Sequence, residues 1–193
     1  MAAINVGVLA LQGAFAAHQQ VLDGIGCRTR QVREPLDLVG LQAIVMPGGE
    51  STTMSKLLAT SGLFGPVADA LRDGMAVFGT CAGMILLASQ IEDGRSDQSS
   101  FGALDVTVQR NAYGRQVDSF ESDLRVTGLA EPFHAVFIRA PRVTRVGAVE
   151  VLARHDGEPV LVRHGRVWAA SFHPELSEDD RIHRLFLECV EKE

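Results

Sequence analysis

The sequence lacks the features that mark several special classes of protein. Its three cysteines, Cys27, Cys81 and Cys189, are odd in number, lie far apart and form no Cys-x-x-Cys motif, so no disulfide framework is indicated. The 18 Lys and Arg residues against 24 Asp and Glu give a net charge of −6, whereas nucleic-acid-binding domains usually carry a basic excess. No apolar run approaches the roughly 20 residues that a membrane-spanning helix needs. We therefore expect a protein of a reducing, cytoplasmic compartment that binds neither nucleic acid nor membrane.

The motifs of metal and nucleotide sites are also missing from the sequence. The six histidines show no mutual spacing typical of metal ligands, and no cysteine pair is present to complete such a site. The sequence contains neither a Gly-Lys-Ser/Thr phosphate-binding loop nor a Gly-x-Gly-x-x-Gly fingerprint. We therefore predict no metal and no cofactor.

What the chain does contain is typical of a globular protein with a substantial core. It has 193 residues, of which 46% are hydrophobic and 22% are charged, values close to the globular average. A chain of this length buries roughly 70% of the surface that its unfolded form exposes. The sequence shows no repeat, low-complexity tract or linker, and we predict a single domain over residues 1–193.

Apolar runs of strand length alternate with helix-like spacing in the first half of the chain. Short strands without polar alternation are typical of a parallel sheet that helices cover on both faces. The predicted strands are residues 4–11, 28–33, 43–46 and 75–78, and the predicted helices are residues 14–25, a stretch that begins at Ser51, and residues 63–71 and 82–89.

The second half carries strand-like runs with turn signals between them. Asp156-Gly157 and His164-Gly165 fit tight turns between antiparallel strands. The predicted strands are residues 104–109, 124–126, 135–139, 149–154, 159–164 and 167–172, before a closing helix at residues 179–190. We therefore predict an α/β fold with an open, mostly parallel, flavodoxin-like three-layer sheet and antiparallel additions.

Cys81 is the candidate nucleophile. It lies at the centre of Gly79-Thr-Cys-Ala-Gly83, between a buried-strand run and a helical run, which is the setting of a nucleophile elbow with cysteine in place of serine. A sharp strand-to-helix turn crowds the neighbours of its central residue, and glycines two positions away on either side relieve that crowding. The start of a helix also favours a thiolate. The alternative, a buried structural cysteine at a tight turn, is the weaker interpretation because of the glycine frame.

His173 and Glu175 are the candidate base and its orienting carboxylate. They follow the apolar run at residues 167–172, and Pro174 pushes His173 toward an extended conformation. Residues two apart in an extended segment point to the same side. We therefore expect the two side chains to face one pocket, as the base and orienter of a catalytic triad do. The alternative is a histidine at a strand end beside a solvated glutamate.

A third motif, Pro47-Gly-Gly-Glu-Ser51, follows a predicted strand and precedes a predicted helix. Glycines let backbone N–H groups approach a ligand, so the amides of Gly49 and of Ala82, the residue after Cys81, are candidate oxyanion donors. Ser51 is the expected helix N-cap. The alternatives are a phosphate-binding turn, which lacks the rest of its motif, and a plain strand-to-helix loop.

In this order along the chain, the three motifs resemble those of the class I glutamine amidotransferase domain. The closer resemblance is to the glutaminase subunits of pyridoxal 5′-phosphate synthase, and it extends nearly from end to end. No catalytic position departs from the family pattern. Four blocks carry the resemblance, the third of which most other amidotransferases lack: Val8-Leu-Ala-Leu-Gln-Gly13, Pro47-Gly-Gly-Glu-Ser-Thr-Thr-Met54, Arg110-Asn-Ala-Tyr-Gly-Arg-Gln-Val-Asp-Ser-Phe120 and Phe137-Ile-Arg-Ala-Pro141.

The resemblance implies an enzyme that releases ammonia from L-glutamine through a triad of Cys81, His173 and Glu175. Ammonia would pass to a partner synthase, a (β/α)₈ barrel that makes pyridoxal 5′-phosphate from ribose 5-phosphate and glyceraldehyde 3-phosphate, in a complex of twelve barrels and twelve glutaminases. The implied glutamine site is lined by Gly48, Gly49, Glu50, Arg110, Ile138 and Arg139.

The loop at Gln12 and Gly13 is a candidate contact with that partner. It ends the first predicted strand, and the carboxyl ends of parallel strands share one sheet edge, so we expect it to lie near Cys81. The alternative is an ordinary β–α turn.

Three other functions remain open on the sequence. A glutaminase that serves another synthase, such as imidazole glycerol phosphate synthase, is disfavoured by the block at residues 110–120. A cysteine peptidase of similar α/β fold would cleave peptides rather than free glutamine. A binding or regulatory subunit with an inactive site is disfavoured by the complete triad.

Overall fold

The centre of the fold is a seven-stranded sheet built from the short apolar runs of the sequence. The computed structural model describes residues 3–110 and 119–191. In these residues the strands are β1 (Asn5–Leu9), β2 (Arg28–Val32), β3 (Ala43–Met46), β4 (Ala76–Thr80), β5 (Ala88–Ile91), β6 (Leu104–Gln109), β7 (Ser119–Leu124), β8 (Phe133–Ile138), β9 (Arg142–Val146), β10 (Glu150–His155), β11 (Glu158–His164) and β12 (Val167–Ala170). The α-helices are α1 (Phe15–Gly24), α2 (Ser51–Thr60), α3 (Phe64–Arg72), α4 (Ala82–Leu87) and α5 (Arg181–Glu191), with short 3₁₀ helices at Pro35–Leu38 and Pro174–Leu176. None of the helices in the described residues is long and apolar enough to cross a membrane.

The strands of the main sheet follow the order β10-β11-β12-β4-β3-β1-β2. The five strands from β2 to β12 pair in parallel, whereas β11 and β10 continue the sheet as antiparallel strands. The turns between these last strands place Asp156 at φ 48° and Gly165 at φ 55°, the positive values that tight hairpin turns require. The mostly parallel α/β sheet with antiparallel additions is therefore confirmed.

The two faces of the main sheet have separate cores, because successive residues of a strand point to opposite sides. On β4, Phe78 belongs to the cluster that contains Leu22 of α1 and Phe186 of α5. The preceding residue, Val77, belongs to the opposite cluster, which contains Leu58 of α2. Helices α1 and α5 thus cover one face, and α2, α3 and α4 cover the other, which gives the three layers that the pattern predicts.

The second half differs from the sequence-based prediction in its local pairing. The helix predicted to reach residue 89 ends at Leu87, because Ala88 turns to an extended conformation and opens β5, which pairs with β6. Strands β5, β6 and β9 form a separate three-stranded sheet, and β7 and β8 form a two-stranded one. The strand predicted at residues 124–126 is also wrong, since β7 ends at Leu124 and Val126 makes only an isolated bridge with Ala153.

Candidate active site

Cys81 lies at a strained turn between the end of β4 and the start of α4. Its backbone has φ 50° and ψ −103°, a combination that a side chain disfavours. A β-carbon on Gly79 would lie 2.6 Å from the backbone of Gly83, and one on Gly83 would lie 2.2 Å from the carbonyl oxygen of Met46. The two framing glycines therefore let β4, α4 and the neighbouring β3 meet at this turn, in the strand–turn–helix setting that the sequence predicts.

The pairing of β4 with β12 brings His173 to Cys81. The two strands run in parallel with Thr80 beside Ala170, and the Cys81 N–H donates to the Ala170 carbonyl at 2.8 Å. His173 follows shortly after β12, and its backbone N–H donates to the carbonyl of Val136 at 2.8 Å. The side chains of His173 and Cys81 line the same cavity. Parallel strands end at the same sheet edge, so residues that are distant in sequence share one site.

Glu175 contacts the other side of the His173 ring. The Nδ1–H of His173 donates to Oε1 of Glu175 at 2.7 Å, and both residues are buried. The extended segment predicted here is wrong, because β12 ends at Ala170 and Glu175 lies in the 3₁₀ helix Pro174–Leu176. The tight turn that starts at Pro174, rather than strand alternation, folds the carboxylate back onto the imidazole.

The contacts of His173 determine its charge. Burial by itself lowers the pKa of His173, but the hydrogen bonds with Cys81 and Glu175 outweigh burial and raise that pKa to about 10. Burial by itself raises the pKa of the Glu175 carboxyl, whereas His18 and His173 together hold it below its usual range. At neutral pH the imidazole is therefore protonated beside the Cys81 sulfur, and the Glu175 carboxylate is ionised.

The Gly48–Gly49 loop, between β3 and α2, interlocks with the loop that follows β1. The carbonyl of Gly48 accepts the Ala14 N–H at 3.1 Å, and Oε1 of Gln12 accepts the N–H of Glu50 at 2.9 Å. A side chain on Gly13, which has φ 93°, would overlap the Gly48 carbonyl, since its β-carbon would lie 1.9 Å from that oxygen. Gln12 and Gly13 therefore lie beside the candidate oxyanion loop, at the sheet edge that the sequence predicts.

Glu50, not the predicted Ser51, caps helix α2. The Glu50 carboxylate accepts the N–H of Thr52 at 3.1 Å and of Thr53 at 2.7 Å, since its longer side chain reaches back over the first turn. Burial raises the pKa of Glu50, but the hydrogen bond from the Thr53 hydroxyl, at 2.7 Å, and the two backbone hydrogen bonds dominate and lower it to about 2. Ser51 instead accepts a hydrogen bond from the side-chain amide of Gln98 at 3.0 Å.

A cavity of about 320 Å³ opens next to Cys81 and His173. The lining also includes Gly13 and four residues that sequence reasoning did not assign to the site. Ser51 was expected only as a helix cap, and Ala14, Ile85 and Leu176 are small or apolar residues that look like ordinary core positions. Gln12, Ala82 and Glu175 are not in this lining. All six residues expected to bind substrate line the cavity: Gly48, Gly49, Glu50, Arg110, Ile138 and Arg139.

Arg110 and Arg139 bring positive charge to the cavity. Arg110 donates through Nη1 to Thr52 Oγ1 at 2.6 Å and to Gln98 Oε1 at 3.0 Å, which holds its guanidinium in the wall. Arg139 has φ 44°, an uncommon conformation for a residue with a side chain. The preceding carbonyl, that of Ile138, accepts a 3.8 Å contact from the Cys81 sulfur. The strained backbone at this position thus lies against the nucleophile.

Most of the block at residues 110–120 lies outside the described residues, since only Arg110, Ser119 and Phe120 of that block are described. In the part of the chain that is described, no group of three or more His, Cys, Asp or Glu side chains is arranged to hold a metal ion.

Comparison with known proteins gives a consistent family. Residues 8–192 match the SNO glutamine amidotransferase family. The pyridoxal 5′-phosphate synthase subunit PdxT of Nocardioides sp. is 52% identical over 195 residues, which cover 98% of this chain and 97% of that protein. The protein of the same name from Deinococcus radiodurans is 53% identical over 188 residues, with 95% and 96% covered. The one from Pelotomaculum thermopropionicum is 55% identical over 190 residues, with 97% and 96% covered.

Solved structures agree with this relationship. A crystal structure of a glutamine amidotransferase superposes with a TM-score of 0.91 at 52% identity and covers 96% of this chain and 98% of its own. A glutamine amidotransferase from Thermotoga maritima superposes with a TM-score of 0.63 at 13% identity, over 100% and 92% of the two chains, which shows a shared fold alone. The chain therefore belongs to the SNO glutamine amidotransferase family.

Proposed function

We propose that this protein is a glutaminase that hydrolyses L-glutamine to L-glutamate and ammonia. Cys81 is the nucleophile, His173 the general acid and base, and Glu175 the orienting carboxylate. The observation that carries the proposal is that neighbouring parallel strands join these three side chains beside one cavity, in a chain of a glutamine amidotransferase family. The acting unit is a single glutamine amidotransferase domain over residues 1–193.

The proposed hydrolysis has two steps. The Cys81 sulfur attacks the carbon of the glutamine side-chain amide, and the tetrahedral intermediate collapses to a thioester while His173 gives its proton to the departing ammonia. His173 then takes a proton from water, the water oxygen attacks the thioester carbon, and Cys81 leaves as thiolate beside a protonated His173. Glu175 holds the ring through its 2.7 Å hydrogen bond in both steps. Proton transfer of this kind contributes about 10²–10⁴-fold.

Backbone amides and charged side chains complete the proposed site. The N–H groups of Gly49 and Ala82 hold the oxyanion of the tetrahedral intermediate. Ala82 is the first residue of α4, where an amide has no partner within its helix. The substrate's α-carboxylate and α-ammonium are matched by the cations of Arg110 and Arg139 and by the anion of Glu50, all in the cavity wall. Gly48 and Ile138 line the same wall.

We assign the released ammonia to pyridoxal 5′-phosphate synthesis in a partner synthase subunit. The three relatives above carry the name of a subunit of that synthase at 52% to 55% identity, which favours this role over a glutaminase such as that of imidazole glycerol phosphate synthase. The partner is the (β/α)₈ barrel implied by the family resemblance, in a complex of twelve copies of each subunit, in the cytoplasm.

Gln12 and Gly13 are the proposed contact with this synthase subunit. Rotation of the Gly48–Gly49 peptide would break the hydrogen bond from the Ala14 N–H to the Gly48 carbonyl, so the neighbouring loop controls the direction of the Gly49 N–H. A partner bound to this loop would shift the peptide only by its differential affinity for the two orientations.

The test is an assay of glutamine hydrolysis by the full chain, alone and with the synthase subunit, in which the release of ammonia is measured. Cys81→Ala should abolish turnover and keep the fold. Cys27→Ala is the matched control, because burial and Asp23 raise the pKa of the Cys27 thiol to about 11 and leave it unreactive. A glutamine-analogue electrophile should label Cys81 and spare Cys27.

Wild-type turnover by a folded Cys81→Ala variant would overturn the catalytic assignment. Cleavage of peptides in place of free glutamine would favour a peptidase. Failure of the ammonia to appear in pyridoxal 5′-phosphate would reject the proposed pathway but leave the glutaminase activity intact.

A further inference from the structure

Two fully buried histidines lie behind Glu175, and the proposed triad chemistry does not use them. His18 on α1 and His183 on α5 both have 0% exposure. Buried polar side chains are kept only where they find partners, because a polar group without one loses the hydrogen bonds that water would supply. We therefore expect both histidines to have specific polar partners near the catalytic carboxylate.

His18 contacts the oxygen of Glu175 that faces away from His173. Its Nε2 lies 3.2 Å from Oε2 of Glu175 and 3.0 Å from Oγ1 of Thr80. Nε2 of His18 meets the geometry of a hydrogen bond with Oγ1 of Thr80 but not with Oε2 of Glu175. The contact with Oε2 is therefore a close polar contact rather than a straight hydrogen bond. On its other side, Nδ1 of His18 lies 3.0 Å from Nε2 of His183. The chain of contacts from Cys81 thus continues through His173 and Glu175 to two further imidazoles.

The protons of this chain can be assigned from its partners. An ionised carboxylate only accepts hydrogen bonds, so Nε2 of His18 carries a proton. Burial, together with His18, lowers the pKa of His183 to about 3, and His183 is therefore neutral. If His183 donates through Nε2 to His18, its remaining ring nitrogen is an acceptor. That nitrogen, Nδ1, is the atom for which the described residues supply no partner, and an unpaired acceptor is less costly than an unpaired N–H.

We propose that His18 is a positioning residue of the glutaminase reaction, which holds the second oxygen of Glu175 so that the first oxygen stays aimed at His173. This inference rests on the proposed Cys81–His173–Glu175 triad. His18 moves no proton and touches neither substrate nor nucleophile. Its role is to give a buried carboxylate a polar partner on the side where the triad supplies none, because a carboxylate held from one side alone is free to turn.

Helix α1 connects this role to the rest of the site. The helix begins at Phe15, directly after Ala14, whose N–H holds the Gly48 carbonyl. The same helix places His18 against Glu175 one turn later. A single rigid element therefore contacts both the oxyanion loop and the catalytic carboxylate.

Two amide variants separate the two sides of the His18 ring. The side-chain amide of His18→Gln reaches the position of Nε2 and keeps a donor toward Glu175. The shorter amide of His18→Asn reaches only the position of Nδ1 and faces His183. With the full chain assayed in the presence of the synthase subunit, we expect His18→Asn to lower kcat about 10-fold with little change in KM, as loss of an orienting partner typically does. His18→Gln should stay within about 3-fold of wild type.

The pH profile distinguishes positioning from a merely structural role. Glu175 is faced by His18 on α1, by His183 on α5 and by His173, while Asp180 acts on His183 and Cys81 acts on His173. The Nε2–H of His18 faces Oε2 of Glu175 and favours the ionised carboxylate, which lowers the Glu175 pKa, so loss of this donor should move the acidic limb of the kcat profile to higher pH. The profile of His18→Gln should keep the wild-type position.

Equal losses of kcat in the two variants would overturn the proposal. So would a His18→Asn pH profile in which kcat is lower at every pH but the acidic limb keeps its wild-type position. A measurement on the wild-type chain keeps it testable if His18→Asn does not fold. Nitrogen-15 spectra of histidine-labelled protein should show His18 protonated at Nε2, and an unprotonated Nε2 would reject the assignment. Cys81→Ala is assayed in parallel: if it retains activity the triad itself fails, whereas an inactive Cys81→Ala with a fully active His18→Asn rejects His18 alone.

Discussion

Gly48 lies directly against the imidazole of His173, so closely that a β-carbon on Gly48 would come within 2.3 Å of His173 Cε1 and 2.9 Å of Nδ1. The same β-carbon would lie 3.3 Å from Cβ of Cys81. Real β-carbons essentially never approach other atoms below 3.0 Å. The oxyanion loop and the triad are thus packed as one unit, and the missing side chain at residue 48 is a requirement of the site.

Gly48→Ala should therefore inactivate the enzyme by displacing His173. The ring is wedged between Glu175 and Cys81, and a displacement of about 1 Å can cost roughly 10²-fold in rate. The measurement is kcat for glutamine hydrolysis, with folding checked by thermal melting. Gly65→Ala is the matched control, because a β-carbon on Gly65 of α3 meets nothing within 4 Å. Near wild-type kcat in Gly48→Ala would contradict this account of the packing.

His173→Asn should lose more turnover than Glu175→Gln. The imidazole transfers protons, so its removal should cost about 10²–10⁴-fold, whereas the carboxylate positions and stabilises the ring. Glu175→Gln should also lower the pKa of His173 from about 10, because the Glu175 charge and hydrogen bond contribute to raising it. Steady-state kinetics over a range of pH measure both effects. Equal losses would mean that Glu175 does more than orient the base.

Glu50→Ala should destabilise the fold in a pH-dependent way. The folded-state pKa of Glu50 is lowered from 4.5 to about 2, so its ionised form stabilises the folded state above pH 4.5, and this contribution is lost as the pH falls toward 2. Loss of an N-cap typically costs about 1 kcal/mol of folding free energy. We expect a smaller loss for Glu50→Ala, because the Glu50 side chain is 53% exposed and solvent screens its charge.

Urea unfolding of wild type and Glu50→Ala at pH 7, 4 and 2.5 measures this contribution. The difference in the free energy of unfolding should be largest at pH 7 and should shrink with acid. Glu178→Ala serves as a control at an exposed carboxylate and should show no such trend. A Glu50→Ala difference that is independent of pH would mean that packing, not the charged cap, is lost.

Gln12→Ala should weaken activation by the synthase subunit. Wild-type kcat should rise when the subunit is added, and the variant should show a smaller rise, because Gln12 Oε1 holds the Glu50 N–H beside the oxyanion loop. Gln42→Ala is the matched control: Gln42 also accepts a backbone N–H, that of Asn5 at 3.0 Å, but where β1 and β3 begin. Full activation of Gln12→Ala, or full activity of the isolated wild-type chain, would show that this loop does not couple the subunits.

The strands and tight turns of this protein could be predicted from its sequence, because they depend on interactions between neighbouring residues. The apolar runs of β3 and β4 predict buried strands because burial on both faces leaves no polar alternation, and the glycines at 79 and 83 predict the turn at Cys81 because only they fit it. The short turns at Asp156 and Gly165 are predictable in the same way, because these residue types tolerate the positive φ values that tight hairpin turns require. The N-cap of α2 is also a local feature, but its prediction was wrong. Residue preference favours Ser51 as the cap, whereas in the structure the longer Glu50 side chain reaches the N–H groups of Thr52 and Thr53.

What the sequence by itself determined is the set of elements and the candidate residues at their ends; what the tertiary structure decided is which of those residues meet. No spacing relates His18, Thr80, Glu175 and His183, since they come from α1, β4, a 3₁₀ helix and α5, and only packing of both helices on one face of the sheet brings them together. The division has a physical cause. Turns and strands depend on the conformational preferences of neighbouring residues, whereas a buried polar cluster depends on strand order and helix placement, which are set by the burial of the whole chain.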